Sequence, residues 1–425
     1  MNNLKQKIKQ HQLIDSLLTL KGNPKALVLM EPLWGIPYYL IMPFATLYMQ
    51  ARGISDIQIG LILSILTATQ MIMSALSGVV TDKFGRKSVT MLGDFMGWTV
   101  PCLIWAVSGN FWAFLIAAIF NSGERLAGTA WVCLLNEDAK PDQLVNIWNW
   151  ILIAGNVSVF FAPIAGLLIG KTSLIAVMRV LYLSFSVLMI FKNVMTYKYT
   201  TETKRGLARI KETKNQSIIS MLREYEKLIP QTLKSRKMQY ALAIIVVLQC
   251  TQIVTTNFFA LYTTSVLGIS DAMIAVFPIF KAAVMLIFFF AAPKVLDRIS
   301  LEIPMFGGTM LFIGCQLTLI FCPPENLPVL LIYALVDAVA FALVIPRKEA
   351  MLVNYISEKE RARVLGLLVM LSSVASIPCG YIAGWLSSIN RQYPFFLNLA
   401  MFVAMAIVLV IGWLQTKKMQ TRCQV

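Results

Sequence analysis

Apolar residues along this chain fall in long blocks separated by short polar stretches, without the alternation of a half-buried strand or the three-and-four spacing of an amphipathic helix. A hydrocarbon core about 30 Å thick takes roughly 20 apolar residues per helix. Windows of that length, bounded by charge, Gly or Pro, lie at about 27–48, 57–80, 88–108, 113–136, 146–169, 173–195, 239–264, 272–293, 301–321, 328–350, 363–386 and 393–414. The pattern predicts an all-α integral membrane protein with twelve transmembrane helices. The longest polar connection, 196–238, separates six spans from six. It divides the chain into a tail 1–26, a six-helix bundle 27–195, the connection itself, a second bundle 239–414 and a tail 415–425. The first 25 residues are polar and lysine-bearing, so no cleavable signal peptide is expected.

Composition agrees with this reading and excludes others. The 425 residues are 58% apolar and 14% charged, whereas soluble domains run near half apolar and about a quarter charged. A net charge of +16 would suggest nucleic acid in a soluble chain, but its distribution says otherwise. With both termini cytoplasmic, thirty of the 37 Lys and Arg residues fall in cytoplasmic segments, counting Arg347, Lys348 and Arg363 at the cytoplasmic ends of their spans, and only Arg52, Lys171 and Arg391 fall outside. That asymmetry is the positive-inside rule, so anionic lipid head groups, not nucleic acid, are the expected partners of the basic face. The remaining four, Arg125, Arg179, Lys192 and Lys281, lie within spans. The 7 cysteines form no C-x-x-C pair, so neither a disulfide framework nor a metal site is expected. Within 196–238, Ile218, Ile219, Leu222 and Tyr225 recur at three and four. They fit a helix lying along the membrane surface, or a plain solvated connection.

The two halves echo each other. Gly53-Ile54-Ser55-Asp56 recurs as Gly268-Ile269-Ser270-Asp271, 215 residues on, each copy just before an even-numbered span. Ser or Asp there can cap the first-turn amides, which explains the residue types but not the equal spacing. The same offset carries Asp82 to Asp297 and Pro163 to Pro378. Two parallel six-helix repeats related by an axis along the membrane normal leave such a trace, and they place a binding site between the halves near the midplane.

Between spans 2 and 3 stands Gly78-Val79-Val80-Thr81-Asp82-Lys83-Phe84-Gly85-Arg86-Lys87. It resembles the G-x-x-x-D-[RK]-x-G-[RK]-[RK] signature of the major facilitator superfamily at every defined position and in the matching loop. Gly78 permits close helix approach, Asp82 can accept from amides at a helix N-terminus, and Arg86 and Lys87 can reach the carboxylates Glu137 and Asp138; alternatively, Lys83, Arg86 and Lys87 serve topology alone. The resemblance implies two six-helix bundles rocking about a central cavity, with Asp82 docking on the start of span 11 to lock the outward-facing state. The second copy, Pro293 to Arg298, keeps Asp297-Arg298 but loses the trailing basic pair, so a latch there would be weaker. Glu124-Arg125 with Gly128 is similar to the R-x-x-x-G region of that family's proton-coupled exporters. Gly155, Pro163 and Gly166 are similar to their antiporter signature, though a kink at Pro163 and packing at Gly166 are structural reasons enough.

An ionisable group at a helix centre costs on the order of 2.5–3.5 kcal/mol on insertion scales, so it points to function unless a partner explains it. Glu124, Arg125, Lys281 and Asp337 lie near the midplane. The resemblance puts spans 1, 4, 7 and 10 on the cavity, where Glu124, Arg125 and Asp337 would meet the substrate or one another. Glu31 and Asp94 lie nearer the cytoplasmic ends, within reach of water; Arg179 and Lys192 are explained by snorkelling. Asn257 and Gln252 in span 7, Asn149 in span 5 and Tyr38 in span 1 offer neutral polar contacts. The only histidine, His11, stands in the N-terminal tail, so proton coupling would fall to carboxylates. Glu124, beside Arg125, and an apparently lone Asp337 are the expected proton sites. No phosphate-binding Gly-rich loop, His dyad or Ser elbow is present, which argues against an enzyme, and no cofactor is expected. The expectation is a monomeric secondary transporter of a small molecule in a bacterial inner membrane. Proton-coupled export is favoured over nutrient uptake, with a transporter-like receptor as the other class.

Overall fold

The computed structural model describes residues 19–140, 143–220, 234–291, 302–356 and 361–423. Regular structure among them is helical. In chain order the helices are α1 (Gly22–Ile41), α2 (Ala45–Ala51), α3 (Asp56–Phe84), α4 (Arg86–Asp94), α5 (Val100–Val107), α6 (Phe111–Asn121), α7 (Glu124–Asn136), α8 (Leu144–Val159), α9 (Ala162–Lys171), α10 (Leu174–Tyr199) and α11 (Lys204–Thr213). After residue 235 come α12 (Arg236–Ser265), α13 (Asp271–Ile274), α14 (Val276–Ala291), α15 (Glu302–Ile320), α16 (Leu327–Tyr355), α17 (Arg361–Ile389) and α18 (Tyr393–Cys423). Among the described residues, 10 helical stretches are long and apolar enough to cross a membrane. The other two expected spans take shorter forms. The block 113–136 is divided into α6 and α7, and the block 272–293 is held by α13 and α14 as far as Ala291. Asp297 and the surface-helix residues Leu222 and Tyr225 lie outside the described residues.

The break before α7 has a cause in the neighbouring helix. Between α4 and α5, residues Phe95–Thr99 form a π-helical turn, a one-residue expansion often found at functional sites. Asn121, at the end of α6, donates its side-chain amide to the Gly97 carbonyl at 2.6 Å. Any side chain at Gly97 would strike the backbone of Gly123 and Glu124, and one at Gly93 would strike that of Ala127. Glycines four apart thus let α4 and the start of α7 touch backbone to backbone.

The repeated Gly-Ile-Ser-Asp segments share a backbone conformation: φ is +83° at Gly53 and +67° at Gly268, a region that costs glycine nothing. The copies differ in capping. Ser55 and Gln58 form a reciprocal capping box, Gln58 N donating to Ser55 Oγ at 3.3 Å and Ser55 N to Gln58 Oε1 at 3.0 Å. Ser270 makes no side-chain cap.

The chain divides into two compact units, one of residues 1–42, 69–168 and 172–222, the other of 43–68, 169–171 and 223–425. The first packs Leu27, Val28, Leu134, Leu135 and Ile147 into a core, with a smaller group of Val89, Leu126 and Ala130. The second centres on Ala241, Ile244, Met305, Phe312 and Phe402, the last two stacked at 4.6 Å. Within this second unit the start of α3 lies along α17. Ser387 donates to Asp56 Oδ2 at 2.7 Å, Arg391 stands 3.4 Å from the same oxygen, and Tyr381 N donates to Ser64 Oγ at 2.8 Å. Trp112, Val187 and Ile287 are exposed, as lipid-facing residues are in a chain considered without its bilayer.

Replacing Gly97 with Leu is expected to lower the thermal unfolding midpoint of the purified protein by several degrees, because overpacking costs roughly 1–3 kcal/mol. Gly128→Leu, where an added Cβ meets nothing within 4 Å, should leave it unchanged; differential scanning fluorimetry compares the two.

Candidate functional site

The signature loop is built around one buried arginine. Phe84 ends α3, Gly85 turns the chain at φ +90°, and Arg86 opens α4. The Arg86 guanidinium is 3% exposed. Its Nε meets Glu137 Oε2 at 3.0 Å, its Nη2 meets Glu137 Oε1 and Asp82 Oδ1 at 3.0 Å each, and its Nη1 donates to the Thr81 carbonyl at 3.3 Å. Burying a guanidinium is tolerable only with its donors used in this way.

The segment after α10 closes over the loop. Glu202 accepts from the amides of Arg86 and Lys87 at 2.9 and 3.0 Å, so a carboxylate brought from a distance caps the N-terminus of α4. Thr203 Oγ1 donates to Glu137 Oε2 at 2.5 Å. From α11, Arg209 reaches Asp82 Oδ2 at 2.8 Å and Glu212 at 2.7 Å, while Thr213 Oγ1 donates to the Asp82 carbonyl at 3.3 Å. Hydrogen bonds to Asp82 first, and to Glu212, push the Arg209 guanidinium above its already high ordinary pKa. Lys83 Nζ donates to the Gln216 carbonyl at 2.5 Å.

Several loop residues act differently from expectation. The Asp82 carboxylate binds the guanidinium groups of Arg86 and Arg209, and the carboxylate that accepts from the amides opening α4 is Glu202. Among the described residues Lys87 Nζ pairs with no acidic side chain: it donates to the carbonyls of Tyr197 and Thr200 at 2.8 and 2.9 Å and lies over the Tyr197 ring. Asp138 accepts from the Lys204 amide at 3.4 Å. Gly78 sits in the last turns of α3.

Apart from the exposed Arg179, the described charges that the sequence placed within spans form three groups. In the first unit, Glu124 is the first residue of α7, where the helix dipole favours an anion. Gln70 on α3 donates to Glu124 Oε1 at 2.8 Å and accepts from Arg125 at 3.2 Å; Arg125 itself stands 3.7 Å from Glu124. Tyr38, stacked on Trp34 at 4.7 Å, lies close enough to feel both charges. In the second unit, Lys281 Nζ meets Asp337 Oδ2 at 2.6 Å and lies 4.6 Å from the Phe341 ring centre. Asp337 is therefore not lone; its cation comes from another helix, 56 residues away in sequence.

The third group overturns two expectations. Lys192 does not snorkel and Asp94 does not reach water: they form a buried pair at 2.7 Å, each side chain 6% exposed. Lys192 extends inward because Asp94 on α4 offers it a partner. Glu31, half-buried on α1, is near enough to feel both charges. Asn257 spends its side-chain amide on the Ile253 carbonyl one turn back, at 2.8 Å.

Around the antiporter-like residues the helix is interrupted. α8 ends at Val159, α9 starts at Ala162, and Pro163 sits in the first turn, where its missing N–H would have had no helical partner. Gly166 is buried, whereas a side chain at Gly155 would meet nothing within 4 Å. Gln70, Glu202, Thr203 and Arg209 went unread in the sequence. Gln70 carried a signal, an amide inside an apolar block; the other three looked like ordinary members of a polar connection.

Comparison with known proteins follows the same lines. A family model described as Major Facilitator Superfamily matches residues 33–346 and 297–423. The chain is 29% identical over 133 residues to an uncharacterized MFS-type transporter, YqjV, of Bacillus subtilis (strain 168), covering 31% of this chain and 32% of that protein. It is 26% identical over 129 residues to an uncharacterized transporter, BU466, of Buchnera aphidicola subsp. Acyrthosiphon pisum (strain APS), covering 30% of this chain and 33% of that one. These alignments thus span about a third of each curated relative. Among solved structures, the nucleoside transporter NupG superposes with a TM-score of 0.69 at 17% identity, over 93% of this chain and 99% of that one. A bacterial homologue of the iron transporter ferroportin, in an inward-facing state, gives 0.70 at 14%, over 91% and 98%. At such identities the likeness is one of fold.

Removing the clamp should free the segment that makes it. In Arg209→Ala and in Glu202→Ala, amide exchange over residues 203–213 is expected to quicken at least severalfold, read by hydrogen–deuterium exchange with mass spectrometry. A cation whose pKa is raised on folding loses its contribution only as pH climbs through that raised value. The protection conferred by Arg209 should therefore persist to pH 10, once rates are corrected for intrinsic exchange.

Proposed function

The chain belongs to the Major Facilitator Superfamily, and from that premise we propose that it is a proton-coupled secondary transporter working by alternating access, carrying a small molecule outward across a bacterial inner membrane. The family assignment and the transporter relatives support a multi-pass membrane transport protein with a small-molecule substrate in preference to an enzyme. The direction, coupling ion and membrane are our reading, as are the twelve-span arrangement in two six-helix bundles with cytoplasmic termini, a monomeric state and contact of the basic face with anionic lipid.

One contrast among the charged groups carries the proton assignment. A pair whose task is structural is sealed, as Lys192–Asp94 is, with both side chains 6% exposed. The other two groups are less enclosed: the side chains of Lys281 and Asp337 are 30% and 12% exposed, and that of Glu124 is 24% exposed beside a more open Arg125. A carboxylate that must gain and lose a proton needs both a partner for its charged form and a route to water. Protonation of Asp337 would release Lys281, and protonation of Glu124 would weaken its hold on Gln70 and Arg125. Either event changes the polar contacts between helices. The cytoplasmic gate falls to Asp82, Arg86 and Glu137, and on the opposite side the seam of α3 and α17, with Asp56 and Arg391, would have to part. Outward transport is supported by the antiporter-like Gly155, Pro163 and Gly166, with the helix interruption ahead of Pro163.

Purified protein in liposomes, screened with compound pools under an imposed pH gradient, tests this reading. Asp337→Asn and Glu124→Gln are each expected to reduce gradient-driven flux tenfold or more while leaving substrate exchange at equal pH in place, since exchange requires no net proton movement. Flux that survives both substitutions would remove the proton role from these residues, and flux indifferent to the gradient would remove proton coupling altogether.

A further inference from the structure

A recess of about 40 Å³ is sunk into the second unit, lined from α12, α14, α15, α16 and α18 and open on one side. Towards its opening stand Gln252, Lys281 and Phe341, which keep some exposure; its deep end is Thr251, Gln316 and the stacked rings of Phe312 and Phe402, all buried. Gln316 is 1% exposed, and its Oε1 has no hydrogen-bond partner among the described residues. An amide oxygen can only accept, and burying one unpaired is costly. Behind the wall a second oxygen is in the same position. Asn398 donates to Thr255 Oγ1 at 3.1 Å, and its own Oδ1 is likewise buried without a partner. Thr251 has spent its hydroxyl proton on its own helix, at the Val247 carbonyl, 2.9 Å away. The deep end of the recess therefore presents one acceptor that lacks a donor, Gln316 Oε1, and no hydroxyl proton of Thr251 is left to supply it.

The charges on its wall decide what can bring that donor. Lys281 and Asp337 are the charged residues lining the recess, and they neutralise each other at 2.6 Å. An organic cation would face the Lys281 ammonium and an organic anion the Asp337 carboxylate. Either would have to break a pair that is also held against the Phe341 ring. A neutral molecule meets no such opposition, and its donors and acceptors can lie along the pair's own dipole.

We propose that this recess is the subsite for the uncharged, hydroxyl- or amide-bearing end of the transported molecule, which donates a hydrogen bond to Gln316 Oε1 and lies along the Lys281–Asp337 pair. The substrates it selects are neutral polar solutes rather than organic ions. This rests on the transporter reading and is independent of proton coupling. A water molecule offers the same donor chemistry, so the test separates it from a solute.

Binding to the purified protein in nanodiscs, at one pH and with no gradient, would be measured by calorimetry for glucose, uridine and nicotinamide as neutral donors, tetraethylammonium as a cation and benzoate as an anion. At least one neutral probe is expected to bind, and Gln316→Leu is expected to weaken it tenfold or more. Gln316→Met serves as a second apolar variant should the first fail to fold. Binding by tetraethylammonium or benzoate alone overturns the substrate class, as does the absence of binding by every probe. Neutral binding of equal strength in wild type and variant overturns the role of Gln316 and leaves water as the occupant. Flux indifferent to the gradient in the wild-type protein, with neutral binding intact, would count against proton coupling alone.

Discussion

A carboxylate taken out of water must find a cation or a donor, and this requirement organises both units. Glu137 and Asp82 hold Arg86, Asp94 holds Lys192, Asp337 holds Lys281, and Glu124 leans on Gln70. Each contact joins residues on different helices or across the loop between two helices, so the charged groups also act as rivets. Helices with apolar side chains on every face gain little from the hydrophobic effect by associating in lipid, because lipid tails are as apolar as leucine. Polar rivets and close glycine contacts then decide which helix touches which.

The same requirement leaves the pairs with different access. Lys192–Asp94 is enclosed, and its opening would strand two charges in a low-dielectric interior. Lys281–Asp337 stands on the wall of a recess, and Glu124 with Arg125 is more open. The difference lies in access and not in charge, which is why residue type alone did not separate an enclosed pair from an accessible one.

Much of the architecture was readable from apolar block length, and the major facilitator signature was complete at every defined position. What hydropathy could not show were events inside a continuous block. The interruption at Ser122 and Gly123 falls in a polar run, Asn121 to Arg125, that a span-length window averages away, and the π-turn at Phe95–Thr99 depends on a neighbour's backbone. Pairings between distant segments were equally silent: Asp337 looked lone because its cation is on another helix, and Lys192 looked like a snorkelling residue because Asp94 lies 98 residues away in sequence. In the connection after α10, Glu202 and Arg209 resembled their neighbours in type. Only the fold distinguishes the charge that caps α4 and the one that binds Asp82 from the others nearby.

The π-turn also fixes the length of the helix that contains it. On one side Asp94 is bound to Lys192; on the other the Thr99 carbonyl accepts from Ser186 at 3.0 Å. Both partners belong to α10, so five residues of one helix are pinned at two points along the next. Loss of one residue between the pins would restore a regular ladder, but it would turn everything beyond it by about 100°, and one of the two attachments would then face the wrong way. The extra residue is thus a spacer that neither insertion nor deletion can replace, and the register of the third span is set as much by α10 as by its own sequence.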